Sequence, residues 1–279
     1  MLLRNRASKV KSFGMEDGTV RQFGDELYEA WRTRQVVSPL LERAPDMSLA
    51  DAYAVQSRLV NRRVEAGEQI IGKKIGLTSK AIQDFLGVYE PDFGQLTSGM
   101  LYNEEQGIDL DQLIQPKAEA ELAFVLKKDL IGPGITATDV ISATDYVSPC
   151  FEIVDSRIRD WQLKIQDTVA DNASCGTFAL SDVRGDPRKL DITMAGMAVY
   201  KNGKLASTGV GAAVQGSPVN AVVWLANTLG KLGLPFLAGE IILSGAQSAV
   251  VPVTTGDELL CTIGGLGSCT ARFHGRSAV

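Results

Sequence analysis

The strongest constraint on how this chain folds is a pair of apolar segments that carry carboxylates in their midst: KAEAELAFVL at residues 117–126 and CFEIV at residues 150–154. In a β-strand, residues i and i+2 point to the same face, so Glu119 and Glu121 project together; on a helix they would lie about 200° apart. The surrounding residues favour a strand. Two carboxylates at about 4 Å repel by roughly 4 kcal/mol at an effective dielectric near 20. The pair therefore lies either on an exposed edge beside lysines, or inside the protein with a shared proton or a cation. Glu152 is flanked by Cys150, Phe151, Ile153 and Val154, a run that reads as buried on both faces. A carboxylate there needs a partner, either a Lys or Arg side chain or a metal ion. Glutamates 119, 121 and 152 on two strands would form an all-oxygen site, which suits Mg²⁺ or Mn²⁺ better than zinc.

Composition narrows the chemistry further. The chain has a single histidine, His274, close to its C-terminal end. Ser-His-Asp and Cys-His catalysis, HExxH zinc sites and two-His-one-carboxylate iron sites all need a well-placed imidazole, so any catalysis must run on carboxylates and lysine, with or without a metal. A net charge of −5 argues against a general nucleic-acid binder. No apolar run approaches the roughly 18 to 20 residues that span a bilayer. Cys150, Cys175, Cys261 and Cys269 form no CxxC pair and read as buried free thiols in a reducing cytoplasm. Arg4, Arg6, Lys9 and Lys11 precede any apolar core, so residues 1–20 are expected to be a flexible extension, with Met15 a candidate natural start.

The chain then reads as α+β: a helical N-terminal region over 21–70 and a β-rich body of mixed or antiparallel sheet over 71–279. One helix is predicted over Asp25 to Gln35. Ser48 and Asp51 form a capping-box pair ahead of a second helix reaching about Ala66. IIGKKIG is a short strand, Thr78 to Leu86 a brief helix closed by Gly87, and strand pattern begins near Leu113. A short helix near Thr138 to Thr144 precedes the buried strand VSPCFEIVDS. Asn202-Gly203 joins Gly196–Lys201 to Lys204–Thr208 as a hairpin. Ser217-Pro218 starts a helix reaching about Leu229, and strands lie around Ile241, Leu259 and Thr270.

Strand alternation implies that one of Lys73 and Lys74 points inward, unless both are solvated. Asp92, in the turn-like EPDFG, fits local backbone bonding. Asp171, Asn172 and Ser174 in TVADNASCG suggest a binding loop.

GKKIGLTSKAIQDFLGVYEPDFG, KAEAELAF and FEIVDSRIRDWQLKIQDTVADNASCG together resemble the 2-keto-4-pentenoate (2-hydroxypenta-2,4-dienoate) hydratases of the fumarylacetoacetate hydrolase superfamily. The similarity runs from about Asp25 to Phe273. It implies a twisted mixed or antiparallel β-roll with a helical N-terminal region, and a cytoplasmic homo-oligomer built on rings of five, up to a decamer. It implies Mg²⁺ or Mn²⁺ held by Glu119, Glu121 and Glu152, with Lys74 and Asp92 as catalytic groups. Leu77, Asn172, Ser174 and Ser244 are further candidates for substrate contact. Relatives often carry a hydroxyl residue at the place of Ala246, whose role would pass to Ser244, Ser248 or a backbone amide.

The activity implied is addition of water to a small 2-hydroxy-dienoate in meta-cleavage catabolism of aromatic compounds. The sister 4-oxalocrotonate decarboxylase is the nearest alternative; Asp92 and the DWQLKIQDTVADN stretch favour hydration. Acylpyruvate hydrolysis usually recruits a His or Glu base from the N-terminal part, and no His is available. A non-catalytic partner of the decarboxylase is the remaining alternative, and a complex between hydratase and decarboxylase is expected.

Overall fold

The structure, a computed structural model, describes residues 14–80, 83–84 and 88–275. Two helices open it. In α1 (Asp17–Thr33), Val20, Phe23, Leu27, Tyr28 and Ala30 recur at helical spacing and are buried. Arg34 closes it in the left-handed conformation, its N–H bonded to the Ala30 carbonyl. In α2 (Leu49–Glu65), Ser48 accepts from the Asp51 N–H and Asp51 accepts from the Ser48 N–H, the capping box expected from the sequence. The helices pack Leu27, Ala52, Val55 and Leu59 against Ile158, Val169 and Ala170 from much later in the chain. α1 begins at Asp17 rather than Asp25, so the helical layer starts inside the stretch expected to be an extension. Residues 1–13 lie outside the described residues.

The strands and remaining helices follow as β1 (Ile70–Gly76), β2 (Asp92–Thr97), β3 (Leu101–Asn103), β4 (Ile108–Asp109), β5 (Lys117–Leu126), α3 (Ala137–Ala143), β6 (Thr144–Val154), α4 (Ile165–Ala170), β7 (Cys175–Leu180), β8 (Gly196–Lys201), β9 (Lys204–Val210), α5 (Pro218–Gly230), β10 (Ile241–Leu243), β11 (Val251–Pro252), β12 (Glu258–Ile263) and β13 (Gly267–His274). The larger sheet runs β2-β1-β10-β5-β6-β7-β3, with β11 also on β5; the smaller runs β4-β13-β12-β8-β9. The pairs β1–β10, β3–β7 and β4–β13 are parallel and the others antiparallel, so both sheets are mixed. Leu122, Phe124 and Phe151 of the larger sheet meet Val199, Leu259 and Cys261 of the smaller, with Val222 and Leu225 of α5 in the same core. Each such side chain contributes about 1.5–3 kcal/mol by leaving water.

Local signals hold where they were strongest. Asn202 and Gly203 both take positive φ (52° and 75°), as a two-residue hairpin turn requires. Pro218 opens α5. Two expectations change. The strand foreseen from Leu113 starts at Lys117. EPDFG is a strand start rather than a turn, with Asp92 the first residue of β2; β2 pairs along β1, a long-range contact that local composition does not encode. The helix expected over Thr78–Leu86 includes residues 81–82 and 85–86, which with its closing Gly87 lie outside the described ones. All four cysteines are free and buried.

Candidate active site

Register brings the site together. Glu119 on β5 lies opposite Glu152 on β6, and Glu121 opposite Cys150. Directly paired residues project to the same side of a sheet, so the three glutamates share one face. Along the same row, Ala123 pairs with Leu243 on β10, Leu243 with Lys74 on β1, and Lys74 with Gly94 on β2. Lys74 therefore stands on the glutamate face, as does Asp92, which pairs with Gly76. Lys73 faces the other way, its Nζ 2.6 Å from Glu240 and 5.0 Å from the centre of the Phe236 ring.

One carboxylate oxygen from each of Glu119, Glu121 and Glu152 lies within 4.8 Å of the others. Glu121 and Glu152 are fully buried. Glu121 Oε2 accepts the Gly245 N–H at 2.8 Å, while its Oε1 has no hydrogen-bond partner among the described residues. Glu152 forms an ion pair with Lys74, Nζ at 3.2 Å from Oε1, without hydrogen-bond geometry. Lys74 donates instead to the Ala173 carbonyl at 2.9 Å. Among the described residues, neither oxygen of buried Asp92 has a hydrogen-bond partner. Gly76 makes room for this crowding: a Cβ there would sit 2.2 Å from Asp92 Oδ1 and 3.2 Å from Lys74 Nζ.

The charge balance is lopsided: Lys74 faces Asp92, Glu119, Glu121 and Glu152, with Lys117 adding a smaller pull on Glu119. Burial, then Glu152, pushes the Glu119 carboxyl up to about 7 against the pull of Lys74. Burial and the charges of Glu152 and Glu119 hold Glu121 well above the carboxylate range. Burial also raises Asp92, with Lys74 opposing. For Lys74, burial disfavours the ammonium, but Glu152, Asp92 and Glu119 outweigh it and the pKa rises. Such a cluster must either retain protons or share a cation. Hard carboxylate oxygens converging within 4.8 Å, those of Glu152 and Glu121 Oε1 without a hydrogen-bond partner among the described residues, fit a divalent ion of the Mg²⁺ or Mn²⁺ type.

Of the other sequence candidates, Asn172 is engaged with the β2 backbone: its Nδ2 donates to Gln95 O at 2.9 Å and its Oδ1 accepts from Gln95 N at 2.8 Å. Ser244 Oγ donates to Leu122 O at 2.7 Å. Leu77 has φ 55°, and its carbonyl accepts from Gln83 Nε2 at 2.8 Å. Among the described residues, the Ser174 and Ser248 hydroxyls have no hydrogen-bond partner. A cleft lined by Leu49, Tyr53, Val88, Phe93 and Trp224 reaches Asp92. Sequence reasoning missed the Gly245 N–H and the Ala173 carbonyl, since backbone groups leave no side-chain signature. It also passed over Arg157, whose only signal is a cation directly after a buried strand.

The family model of the fumarylacetoacetate hydrolase C-terminal region matches residues 83–274. The chain belongs to the fumarylacetoacetate hydrolase family. Within that class it is similar to the 2-hydroxypent-2,4-dienoate hydratase of Pseudomonas putida, 57% identical over 79% of this chain and 100% of the relative. It is likewise similar to the 2-hydroxyhexa-2,4-dienoate hydratase of Comamonas testosteroni, 52% identical over 90% of this chain and 96% of the relative. Among solved structures it resembles the 4-oxalocrotonate decarboxylase of Pseudomonas putida G7, complexed with magnesium and adipate. There the TM-score is 0.90 and the identity 36%, covering 93% of this chain and 98% of that one.

Proposed function

We propose that this chain is a divalent-metal-dependent hydro-lyase that adds water to 2-hydroxypenta-2,4-dienoate (2-oxopent-4-enoate), giving 4-hydroxy-2-oxopentanoate in the meta-cleavage catabolism of aromatic compounds. The observation that carries it is one sheet face holding Glu119, Glu121, Glu152, Lys74 and Asp92 together. Identities of 57% and 52% to dienoate hydratases, against 36% to the decarboxylase, favour hydration. Glu119, Glu121 and Glu152 would hold Mg²⁺ or Mn²⁺, which supplies Lewis acidity toward the substrate's carboxylate and 2-oxygen.

The chain's own side chains do the rest. Lys74, cationic and anchored by Ala173, holds the substrate carboxylate or hands on the enol proton. Asp92, raised above the usual carboxylate range by burial, orients the water for C4 and takes its proton. The cleft beside Asp92 would receive the far end of the diene, and Ser174 and Ser248 have hydroxyls free for its polar end. Leu77, Asn172 and Ser244 would shape the site through the backbone they hold.

Loss of dienoate absorbance on adding Mg²⁺ or Mn²⁺, abolished by a chelator, is the expected result. Release of CO₂ from 2-oxohex-3-enedioate without hydration of the pentadienoate would move the chain to the decarboxylases. The same reading has the enzyme cytoplasmic and assembled as rings of five, up to a decamer, in complex with a 4-oxalocrotonate decarboxylase. Light scattering and co-purification test those points.

A further inference from the structure

Asp171 to Cys175 form a turn that no ordinary sequence preference explains. Asn172, Ala173 and Ser174 take φ of 55°, 51° and 53°, three successive left-handed residues without a glycine among them. Such residues persist only where their surroundings over-determine them, and they cluster at functional sites. Here the surroundings are Arg157 and Asp171, both almost completely buried. Arg157 Nε lies 2.5 Å from Asp171 Oδ1, and Arg157 N donates to Asp171 Oδ2 at 3.0 Å. Ser156 Oγ donates to the same Oδ2 at 3.1 Å. The guanidinium also reaches the Asp171 carbonyl through Nη2 and the Cys175 carbonyl through Nη1 at 2.8 Å, gripping both ends of the turn.

The turn in turn holds three strands of the site. Ala173 O accepts from Lys74 Nζ on β1, the Asn172 amide bonds the Gln95 backbone on β2, and Ser174 O accepts from Asp155 N at 2.8 Å, just past β6. The approach to β2 is close enough that a Cβ on Gly94 would meet Asn172 O at 2.4 Å.

We propose that Arg157 and Asp171 are positioning residues for the reaction: their buried ion pair holds the left-handed turn whose Ala173 carbonyl fixes the Lys74 ammonium beside Glu152. The inference rests on the catalytic role proposed for Lys74. It separates this pair from ordinary core ion pairs, because removing it should act on turnover through one named side chain.

A double-mutant cycle tests it. Asp171→Asn keeps the shape and loses the charge. It should lower kcat at least tenfold, with KM and the Mg²⁺ dissociation constant within about threefold of the parent. In a Lys74→Met background the same change should alter kcat less than twofold. Arg157→Lys, which keeps a cation but loses the two-pronged grip, should behave alike, and Asn172→Gly offers a milder loosening if either variant folds poorly. An equal loss in both backgrounds, or a kcat within twofold of the parent for all of these variants, overturns the proposal. The crystal structure of Asp171→Asn reads the same point without turnover: Lys74 Nζ should leave hydrogen-bond reach of Ala173 O, and an unchanged contact refutes the pair's role. A parent protein that fails to hydrate the dienoate counts against the proposed function, not against this geometry.

Discussion

Lys73 and Lys74 are adjacent on β1 and equally hidden from solvent, 8% and 3% exposed, yet they occupy opposite electrostatic worlds. Lys73 meets one carboxylate, Glu240, at 2.6 Å and lies over the Phe236 ring. The desolvation that lowers its pKa is only partly offset by Glu240. Lys74 meets Glu152, Asp92 and Glu119, and their combined field raises its pKa despite burial. A matched pair is a structural element; a cation outnumbered by acids is a group whose charge another cation or a substrate can engage. Burial alone does not distinguish the two, whereas the charge ratio on each face does.

The largest effects should come from exchanging what the two lysines lose. Lys74→Met should lower kcat by about 10² to 10⁴, the range typical of general acid–base groups, beyond any stability lost by leaving Glu152 without its cation. Steady-state kinetics beside a thermal melt checks this, and near-normal turnover would remove Lys74 from the mechanism. Lys73→Met should do the reverse. Leaving Glu240 buried and unpaired costs about 3–5 kcal/mol of stability, seen in urea unfolding, with kcat at low denaturant within about threefold of the parent. Lys73→Met combined with Glu240→Leu should recover most of that loss, and failure to do so would show that the pair has more than a structural role.

A pH experiment sharpens the contrast at smaller amplitude. Glu119, held up to about 7, and Glu121, held higher than usual, carry protons in the metal-free fold that the unfolded chain has already released. Raised acids of this kind make the metal-free protein lose stability as pH climbs from the unfolded carboxylate range toward 7. A cation must displace those protons, so Mg²⁺ affinity should rise with pH below 7, by up to about tenfold per unit for each proton displaced. Calorimetry at pH 6 and 8 measures it; affinity that does not change would mean the triad is already ionised. The smallest effect belongs to a region outside both faces. Ser48→Ala removes the α2 cap and should cost about 1 kcal/mol in unfolding without moving kcat.

Much of the site was legible because its signals are local. The two-residue period of a strand put Glu119 and Glu121 on one side, and the apolar neighbours of Glu152 marked it as a carboxylate in need of a partner. The cap at Ser48 and Asp51, the Asn202-Gly203 turn and Pro218 were readable for the same reason. Asp92 was misread as a turn residue because its strand exists only through pairing with β1. The left-handed turn at Asn172–Ser174 was invisible, since none of its residues is a glycine and the cause lies at Arg157.

The sequence by itself determined that Glu119 and Glu121 share a face on a strand, that Glu152 is a carboxylate in need of a partner, and that Lys73 and Lys74 project to opposite sides of theirs. That both lysines are buried, and which acids each one meets, was decided by β10 slotting between β1 and β5, residues more than a hundred positions away in the chain. The physical reason is that alternation along a strand is a local property of the backbone. The register between strands, which assigns each side chain its face and its neighbours, is set only when distant segments pack.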